Sequence, residues 1–298
     1  MSNICICICT RNRQKELTKL LDSLSEIQIP PDTNIRIIVV ENDLESYSEQ
    51  IISQFSSQFK IEINYFLETK RGISFARNRA VKEAHLADFC CFVDDDQIVA
   101  KNWLVELLKC QREFNADGVW GPNPPIFNSS VPPYVIQFHN PKSYKYGANV
   151  THAFTNCLLL TKEYLDKIDG PFDERLNFTG GEDICLTTQI SKLGGNIRYN
   201  PHAIANEIIP KDRTTVNYIA KRCIRNSNTA YFVQSILDKD FNKFEIVFRS
   251  SMRLSLGLLM FFPFLLFGKS DRLRGLIKIC NALGGFSFIL FKANKFYK

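Results

Sequence analysis

A run of five apolar residues, Phe89–Val93, leads directly into three consecutive aspartates, Asp94–Asp96. A continuous apolar run of this length is typical of a strand that is buried on both faces at the centre of a parallel sheet. The three carboxylates cannot lie in the packed core, because an uncompensated buried charge is strongly unfavourable. In an open α/β sheet, ligands bind at this end of the strands. The pattern therefore predicts an α/β fold with a ligand site after Val93, and a solvated acidic turn is the alternative.

The aspartates at alternate positions, Asp94 and Asp96, favour a particular kind of ligand. Their carboxylate oxygens suit a hard divalent cation such as Mg²⁺ or Mn²⁺, which carries the phosphate groups of a nucleotide in many enzymes. Polar clusters after the neighbouring strands would favour such a site over a solvated turn.

Three more strands are predicted before this point, at Ile4–Cys9, Ile35–Val40 and Ile61–Phe66. Leucines at helical spacing follow the first strand, and the order strand, helix, strand is typical of a parallel sheet with right-handed crossovers. Polar residues follow the first and second strands, at Thr10–Arg13 and Glu41–Asp43. Because parallel strands end at the same edge of a sheet, we expect these clusters and the aspartates to share one nucleotide site.

Charged side chains on two later helices extend this predicted site. One helix carries Arg77 and Arg79, and basic groups near a helix N-terminus can hold a diphosphate. A solvated helix face is the alternative for this pair. Gly181 precedes Glu182 and Asp183 at the start of the other helix, and glycine allows close approach of the backbone to a ligand. The two acidic residues also complement the helix dipole, so capping alone explains one of them.

Residues 122–150 are rich in proline, asparagine and tyrosine and too irregular in pattern for core elements. Loops of this length are usually lids or binding loops. We therefore predict a functional loop here.

The chain contains ten cysteines, and none of them forms a paired C-x-x-C pattern. Cys5, Cys7 and Cys9 alternate on the first strand and therefore share one face. A buried face of small apolar side chains is the favoured interpretation, and a metal site is the alternative. No secretory signal peptide is recognisable, so we expect free thiols in a reducing cytoplasm.

Charge is divided unevenly along the 298 residues. Residues 211–298 contain 16 Lys and Arg against 5 Asp and Glu, whereas the remainder contains 21 against 26. A net-acidic N-terminal part followed by a basic, apolar C-terminal tail fits a catalytic domain with a membrane-facing tail better than it fits a nucleic-acid-binding protein. No RNA-binding sheet motif is recognisable either. We expect two domains, 1–235 and 236–298.

Two apolar runs, Leu254–Phe267 and Leu276–Phe291, lie in this tail. Each run is shorter than the roughly 20 residues that a spanning helix needs, and Pro263 interrupts the first. We expect residues 252–291 to form a helical hairpin in or on the cytoplasmic face of the cell membrane, with Lys and Arg on anionic headgroups. A buried pair of core helices is the alternative.

Five of these motifs resemble, in order and spacing, those of the family 2 glycosyltransferases. They are Cys9–Arg13, Val40–Asp43, Ala76–Asn78, Val93–Asp96 and Gly181–Asp183. The likeness covers approximately residues 3–235. It implies a GT-A fold, a nucleotide-diphosphate sugar as donor, a divalent metal (Mn²⁺ or Mg²⁺) and inversion at the anomeric carbon.

Roles for individual residues follow from this resemblance and from their chemistry. Asp183 is the candidate general base, and Glu182 is expected to orient the acceptor. The candidate metal ligands are Asp94, Asp96 and Glu207. The candidates for binding the nucleotide sugar are Thr10, Arg11, Asn12, Arg13, Glu41, Asp43, Arg77, Asp94 and Asp95.

Two positions depart from the family pattern. Glu41 stands where the family usually has aspartate, and its longer side chain can shift the nucleotide. Glu207 stands where many relatives carry a metal-binding histidine, and a carboxylate is also an acceptable ligand for Mg²⁺ or Mn²⁺.

The expected function is a metal-dependent, hexosyltransferase-like enzyme that acts on a glycan or polyprenyl-linked acceptor in surface polysaccharide biosynthesis. A nucleotidyltransferase that forms sugar nucleotides shares this type of sheet, but Thr10–Arg13 lacks the glycine-rich phosphate loop that it requires. A catalytically silent glycan- or nucleotide-sugar-binding scaffold at the membrane is a further alternative. The presence of both Asp94–Asp96 and the Glu182-Asp183 pair argues against a silent scaffold.

Overall fold

A computed structural model of the protein describes residues 1–57, 59–238, 240–262 and 269–292, of which 269–272 are described by their backbone alone. The chain divides into two compact units. The first comprises residues 1–126, 140–177 and 182–208, and the second comprises residues 127–139, 178–181 and 209–298. The domain boundary expected at residue 235 stays a prediction.

The strands are β1 (Ser2–Thr10), β2 (Thr33–Glu41), β3 (Glu62–Leu67), β4 (Phe89–Asp94), β5 (Gln97–Val99), β6 (Gly118–Trp120), β7 (Pro125–Phe127), β8 (Cys157–Thr161), β9 (Ile197–Tyr199) and β10 (Ala205–Ile209). The helices are α1 (Gln14–Ser25), α2 (Glu49–Ser56), α3 (Ile73–Glu83), α4 (Trp103–Phe114), α5 (Pro133–His139), α6 (Lys162–Asp166), α7 (Glu182–Lys192), α8 (Val216–Leu237), α9 (Lys243–Phe261) and α10 (Lys269–Phe291).

The larger sheet, as far as the structure describes it, has seven strands in the order β3-β2-β1-β4-β8-β6-β9. Strands β1 to β4 are parallel, as are β6 and β9, whereas β8 runs antiparallel to β4 and β6. A smaller sheet has the order β5-β10-β7. The predicted α/β fold with a mostly parallel central sheet is therefore confirmed.

The central strand β4 is buried on both faces, as its apolar sequence predicts. Cys91 and Val93 belong to one hydrophobic cluster, and Cys90 and Phe92 belong to a second cluster. Because successive side chains of a strand point to opposite faces, β4 contributes to the core on both sides of the sheet. The two ends of this strand, Phe89 and Asp94, are partly exposed.

The cysteine-rich first strand also lies in the core. Cys5 and Cys7 are buried in the same cluster as Cys90 and Phe92. All ten cysteines are free thiols, and nine of them are buried. The interpretation as a packed apolar face is confirmed for Cys5 and Cys7, and Cys9 is partly buried against the same cluster.

Strand β8 begins at Cys157, and two residues before it the backbone N–H of Thr155 donates to the Asp183 carboxylate instead of a strand ladder. One sequence prediction differs from the structure in detail. Residues 122–150, predicted as an irregular loop, contain the short elements β7 and α5.

The second unit is mainly helical. Helices α9 and α10 approach each other closely at Gly257, where an added Cβ would lie 2.9 Å from the backbone oxygen of Gly275. The residues 273–291 within α10 form the one described helix that is long and apolar enough to cross a membrane, with a mean hydropathy of 1.4. Pro263, predicted to interrupt the first apolar run, lies outside the described residues.

Candidate active site

The end of β1 meets the three aspartates that follow β4. The hydroxyl of Thr10 donates to Asp95 Oδ2 at 2.8 Å, and Arg13 Nη1 donates to Asp95 Oδ1 at 2.9 Å. The same nitrogen lies 3.4 Å from Asp96 Oδ2. Burial raises the pKa of Asp95 to about 6, and Arg13 and Thr10 act in the opposite direction. The predicted convergence of these two strand ends is thus present.

The end of β2 lies beside the same loop. Arg11 Nε is 3.4 Å from Asp43 Oδ2, and Asn12 between the two arginines adopts a left-handed conformation with φ of 50°. Asparagine tolerates this conformation better than most residues because its short side chain can hydrogen-bond locally. Thr10 and Arg13 therefore contact the aspartates after β4, and Arg11 contacts Asp43.

Glu41, at the end of β2, is completely buried. Its carboxylate accepts hydrogen bonds from the backbone N–H groups of Tyr47 and Ser48 at 2.9 Å and from the Ser48 hydroxyl at 3.0 Å. The Tyr65 hydroxyl donates to it at 2.7 Å. These four bonds fix the loop that precedes α2. A nucleotide contact by Glu41 stays a prediction, and the structure adds this role in organising the loop.

Arg77 on α3 is buried and forms ion pairs with two carboxylates. One nitrogen contacts Glu182 on α7, and the other lies 3.3 Å from Asp94 Oδ1 at the end of β4. Burial alone would lower the pKa of Arg77, but the charges of Glu182 and Asp94 outweigh it and the net pKa is raised. Arg79 instead pairs with Glu83 on its own helix at 2.7 Å. Of the two arginines, Arg77 alone contacts the other predicted site residues.

Asp183 is the second residue of α7. Its Oδ1 accepts a hydrogen bond from the backbone N–H of Ile184 at 2.7 Å, and the N–H of Thr155 also donates to the carboxylate. Burial and the charge of Glu182 raise the pKa of Asp183 to about 6, whereas Arg77 and the two backbone bonds act to lower it. A carboxylate of this kind is ionised at neutral pH and is a stronger base than an ordinary aspartate.

Glu182 lies deeper than Asp183 and is buried. One oxygen contacts Arg77, and the other oxygen, Oε2, has no hydrogen-bond partner among the described residues. Gly180 and Gly181, which precede it, have φ angles of 78° and 88°. This left-handed backbone explains why two glycines stand there. A direct role of Glu182 in orienting the acceptor stays a prediction.

The three candidate metal ligands come from neighbouring backbone segments. Glu207 on β10 pairs with Gln97 of β5, and the N–H of Ile208 donates to the backbone oxygen of Asp96 at 3.1 Å. Asn123 Nδ2 donates to Glu207 Oε2 at 3.1 Å. Among the described residues, no three His, Cys, Asp or Glu side chains are arranged to enclose a metal ion. The carboxylates present fit a hard divalent cation in the chemistry of their oxygens.

The sequence profile of glycosyl transferase family 2 matches residues 5–168, which is more than half of the chain. The chain belongs to this family. It is 29% identical over 229 residues to the succinoglycan biosynthesis protein ExoM of Rhizobium meliloti (strain 1021), a match that covers 76% of this chain and 74% of ExoM. It is 26% identical over 117 residues to the poly(ribitol-phosphate) beta-N-acetylglucosaminyltransferase TarS of Staphylococcus aureus (strain Mu50 / ATCC 700699), covering 39% of this chain and 20% of TarS.

Solved structures of glycosyltransferases share the fold. The mannosyltransferase PcManGT from Pyrobaculum calidifontis, in complex with GDP-Man and Mn²⁺, superposes with a TM-score of 0.69 at 14% identity, covering 98% of this chain and 88% of PcManGT. S. aureus TarS 1–349 in complex with UDP-GlcNAc superposes with a TM-score of 0.54 at 14% identity, covering 97% and 92%. The expected GT-A fold is confirmed by this likeness.

Two residues around this family 2 site were not among the predicted site residues. Thr155, whose N–H donates to Asp183, carries no sign of this contact in the sequence. Asn42 belongs to the predicted polar cluster Glu41–Asp43, but the sequence does not show that it donates to the backbone oxygens of Glu68 and Lys70 and accepts from the Gly72 N–H. Both residues act on the backbone around the site, which single-sequence patterns do not reveal.

Proposed function

We propose that this family 2 member is an inverting glycosyltransferase that moves a sugar from a nucleotide-diphosphate sugar to a hydroxyl group of a glycan or lipid-linked acceptor, in the biosynthesis of a surface polysaccharide. The observation that carries this proposal is the position of Asp183. This carboxylate neighbours Glu182, which contacts the arginine bound to Asp94 at the end of the central strand. Arg77 thus links the helix that carries the proposed base to the strand end that we propose binds phosphate.

Asp183 has the properties that a general base for this reaction requires. The acceptor hydroxyl attacks the anomeric carbon, Asp183 takes its proton, and the bond from that carbon to the diphosphate oxygen breaks. One displacement of this kind inverts the configuration and needs no covalent nucleophile. A base with a pKa of about 6 is ionised at neutral pH, and general-base assistance is typically worth about 10²–10⁴-fold in rate.

The donor is assigned to the half of the sheet that contains β1 and β2. Thr10, Arg13 and Asp95 form one hydrogen-bonded cluster there, and Arg77 supplies positive charge for the leaving diphosphate. Asp94, Asp96 and Glu207 would hold a divalent ion, which supplies Lewis-acid stabilisation of a leaving diphosphate when bound. The GDP-Man and Mn²⁺ bound to PcManGT and the UDP-GlcNAc bound to TarS support such a donor.

A surface polysaccharide as the product is supported by the ExoM match, because that relative is named for succinoglycan biosynthesis. Membrane association is supported by the second unit. Phe244, Phe248, Met252 and Leu259 follow one another along α9 at spacings of about one and two turns, and all are exposed, Phe244 by 85%. This apolar face fits a bilayer interface, and the net positive charge of residues 211–298 fits anionic headgroups.

A screen of nucleotide sugars tests the proposal. Thermal melting of the full chain is measured with UDP-, GDP- and TDP-linked sugars, each with Mn²⁺ or with EDTA, and hydrolysis of the stabilising donor is then followed by NMR. We expect one nucleotide class to raise the melting temperature in the presence of Mn²⁺ and to be hydrolysed slowly to the inverted free sugar.

Two results would contradict this function. If no nucleotide sugar raises the melting temperature, the donor assignment is wrong. If one binds tightly but is neither hydrolysed nor transferred, the protein is the catalytically silent scaffold considered from the sequence.

A further inference from the structure

An aromatic cluster lies at the edge of the larger sheet where β6 and β9 end. The Trp120 ring centroid is 5.5 Å from that of Phe154 and 6.1 Å from that of Tyr144, and Tyr199 lies 5.3 Å from both Trp120 and Tyr144. Trp120 and Tyr199 are buried, whereas Tyr144 and Phe154 are 37% and 36% exposed. These four residues, which we call the aromatic platform, have a buried base and two rings open to solvent.

Buried polar atoms without hydrogen-bond partners accompany the platform. Within the described part of the chain, Trp120 Nε1, Thr155 Oγ1 and Asn156 Oδ1 have no partner. Buried polar groups in folded proteins are nearly always paired, so each exception requires an explanation. Such atoms on and beside a half-exposed aromatic surface favour a ligand that carries hydrogen-bonding groups over a purely apolar one.

The platform is connected to the candidate base through the backbone. The N–H of Thr155 donates to Asp183, and Phe154 is the residue immediately before Thr155. Cys157 of β8 pairs with Val93 of β4. Because the two strands are antiparallel, Asn156, the residue before Cys157, lies opposite Asp94, the residue after Val93. The unpaired atoms therefore lie between the platform and the residues assigned to catalysis.

The sheet order distinguishes this surface from the donor side. Strands β1 and β2, with Thr10 and the other residues assigned to the nucleotide, lie on one side of β4, whereas β8, β6 and β9 lie on the other. A ligand on the platform thus approaches the site from the side opposite to the donor. In the proposed reaction the second substrate is the acceptor, so a ligand on this side would be the acceptor.

The chemistry of the platform favours a sugar ring as that acceptor. The C–H faces of a pyranose are apolar and pack on aromatic rings, while its hydroxyl groups, at the rim, both donate and accept hydrogen bonds. A polyprenyl chain would also pack on the rings but would leave the polar atoms beside them unpaired.

We propose that the aromatic platform binds the terminal sugar ring of the acceptor through Tyr144, Phe154 and Trp120, so that the enzyme extends an existing glycan. This inference rests on the proposed function. Its consequence is that an earlier glycosyl transfer must supply the acceptor, and the protein does not add the first sugar to a polyprenyl phosphate.

Saturation-transfer NMR with the full chain tests this assignment. The probes are the methyl β-pyranosides of glucose, galactose, mannose and N-acetylglucosamine, together with farnesyl phosphate. We expect at least one glycoside to bind the wild type and to bind Tyr144→Ala/Phe154→Ala about tenfold more weakly. Leu86→Ala is the control and should bind glycosides as the wild type does. Leu86 is exposed and lies before the amino end of β4, whereas the platform lies at the carboxyl ends of β6 and β9.

Thermal melting separates recognition from folding. Tyr144 and Phe154 are more than a third exposed, so Tyr144→Leu/Phe154→Leu, which keeps apolar side chains and removes both rings, should stay folded at the temperature of the binding measurement while glycoside binding weakens. Unchanged glycoside binding by this folded variant would overturn the platform assignment.

Hydrolysis of the nucleotide sugar without acceptor is measured in parallel. We expect it to be retained in all variants, because the donor side is untouched, and its absence in the wild type would count against the proposed function alone. The platform assignment is overturned if the double variant binds glycosides as the wild type does. It is also overturned if farnesyl phosphate binds and no glycoside does.

Discussion

Arg77 and Glu182 form a buried ion pair that joins helix α3 to the first turn of helix α7. The two side chains are 9% and 7% exposed, so water contributes little to stabilising either charge. The pair places the start of α7, and with it Asp183, against the helix that follows β3. Residues that are 105 positions apart in the sequence thereby form one charged centre.

Replacing Arg77 with methionine should leave Glu182 as an uncompensated buried charge. Removal of one partner of a buried pair typically destabilises a protein by about 3–5 kcal/mol. Arg79→Met removes a partly exposed helix pair and should change the free energy of unfolding by less than about 1 kcal/mol. Urea denaturation of both variants measures the difference. Equal losses in the two variants would show that the Arg77–Glu182 pair is not buried as described.

Glu41→Gln tests the loop-organising role of the buried carboxylate. The amide keeps one acceptor oxygen and brings an N–H₂ group against donors, so at least one charge-assisted hydrogen bond is lost. Such a bond contributes about 1.5–3 kcal/mol. We expect a loss of this size in the free energy of unfolding, against less than about 1 kcal/mol for Asp43→Asn, whose single ion pair is long. An unchanged stability in Glu41→Gln would refute the role.

Much of the site could be predicted because it rests on strand direction. Phe89–Val93 is apolar enough to identify the central strand, and parallel strands bring Thr10 and Arg13 to the aspartates after it. The position of Asp183 in the first turn of a helix was also readable from the glycines before it.

The remaining features depend on tertiary contacts. Nothing in the apolar sequence of β8 indicates whether the strand runs parallel or antiparallel to its neighbours, and in the structure it runs antiparallel to β4. The sequence of Glu41 and its neighbours suggests an exposed ligand contact, and only the fold shows that Tyr47, Ser48 and Tyr65 enclose it. The unpaired Trp120 Nε1 is likewise a property of packing, since a tryptophan at a strand end is usually core.

Asp96→Ala should abolish the Mn²⁺-dependent part of nucleotide binding and leave the fold intact, because this carboxylate is part-exposed and contributes no core packing. Calorimetric titration of UDP and GDP, with Mn²⁺ and with EDTA, measures the effect. Asp166→Ala, on the exposed face of α6, is the control and should bind as the wild type does. If affinity is the same with and without chelator in all three proteins, the metal assignment is wrong.

Phe244→Glu/Phe248→Glu should weaken membrane binding without loss of stability, because both side chains are already exposed. Flotation of the full chain with vesicles that contain anionic lipid, at low salt, is the measurement, and Leu86→Glu is the matched control. A wild-type protein that stays unbound and is monodisperse without detergent would show that the apolar face of α9 does not bind membranes.

Asp183→Asn should stabilise the protein at neutral pH while it removes the base. The pKa of Asp183 in the folded state, about 6, is above that of an unfolded aspartate, so its ionised form destabilises the fold at neutral pH. This penalty disappears as the pH falls through 6 toward 4, where the carboxyl group becomes protonated. Thermal melting should therefore show a gain for Asp183→Asn at pH 7 that shrinks toward pH 4. A variant that is less stable at pH 7 would contradict the raised pKa.

The most direct test of the catalytic assignment is the rate of nucleotide-sugar turnover as a function of pH in the wild type and in Asp183→Asn, with donor affinity measured alongside. We predict that wild-type turnover falls as the pH drops below about 6, because the base becomes protonated. The variant should bind donor normally, and its turnover should be lower by on the order of 10²-fold or more, without this pH dependence. Near-normal turnover by Asp183→Asn would contradict the account and place the general base on another residue.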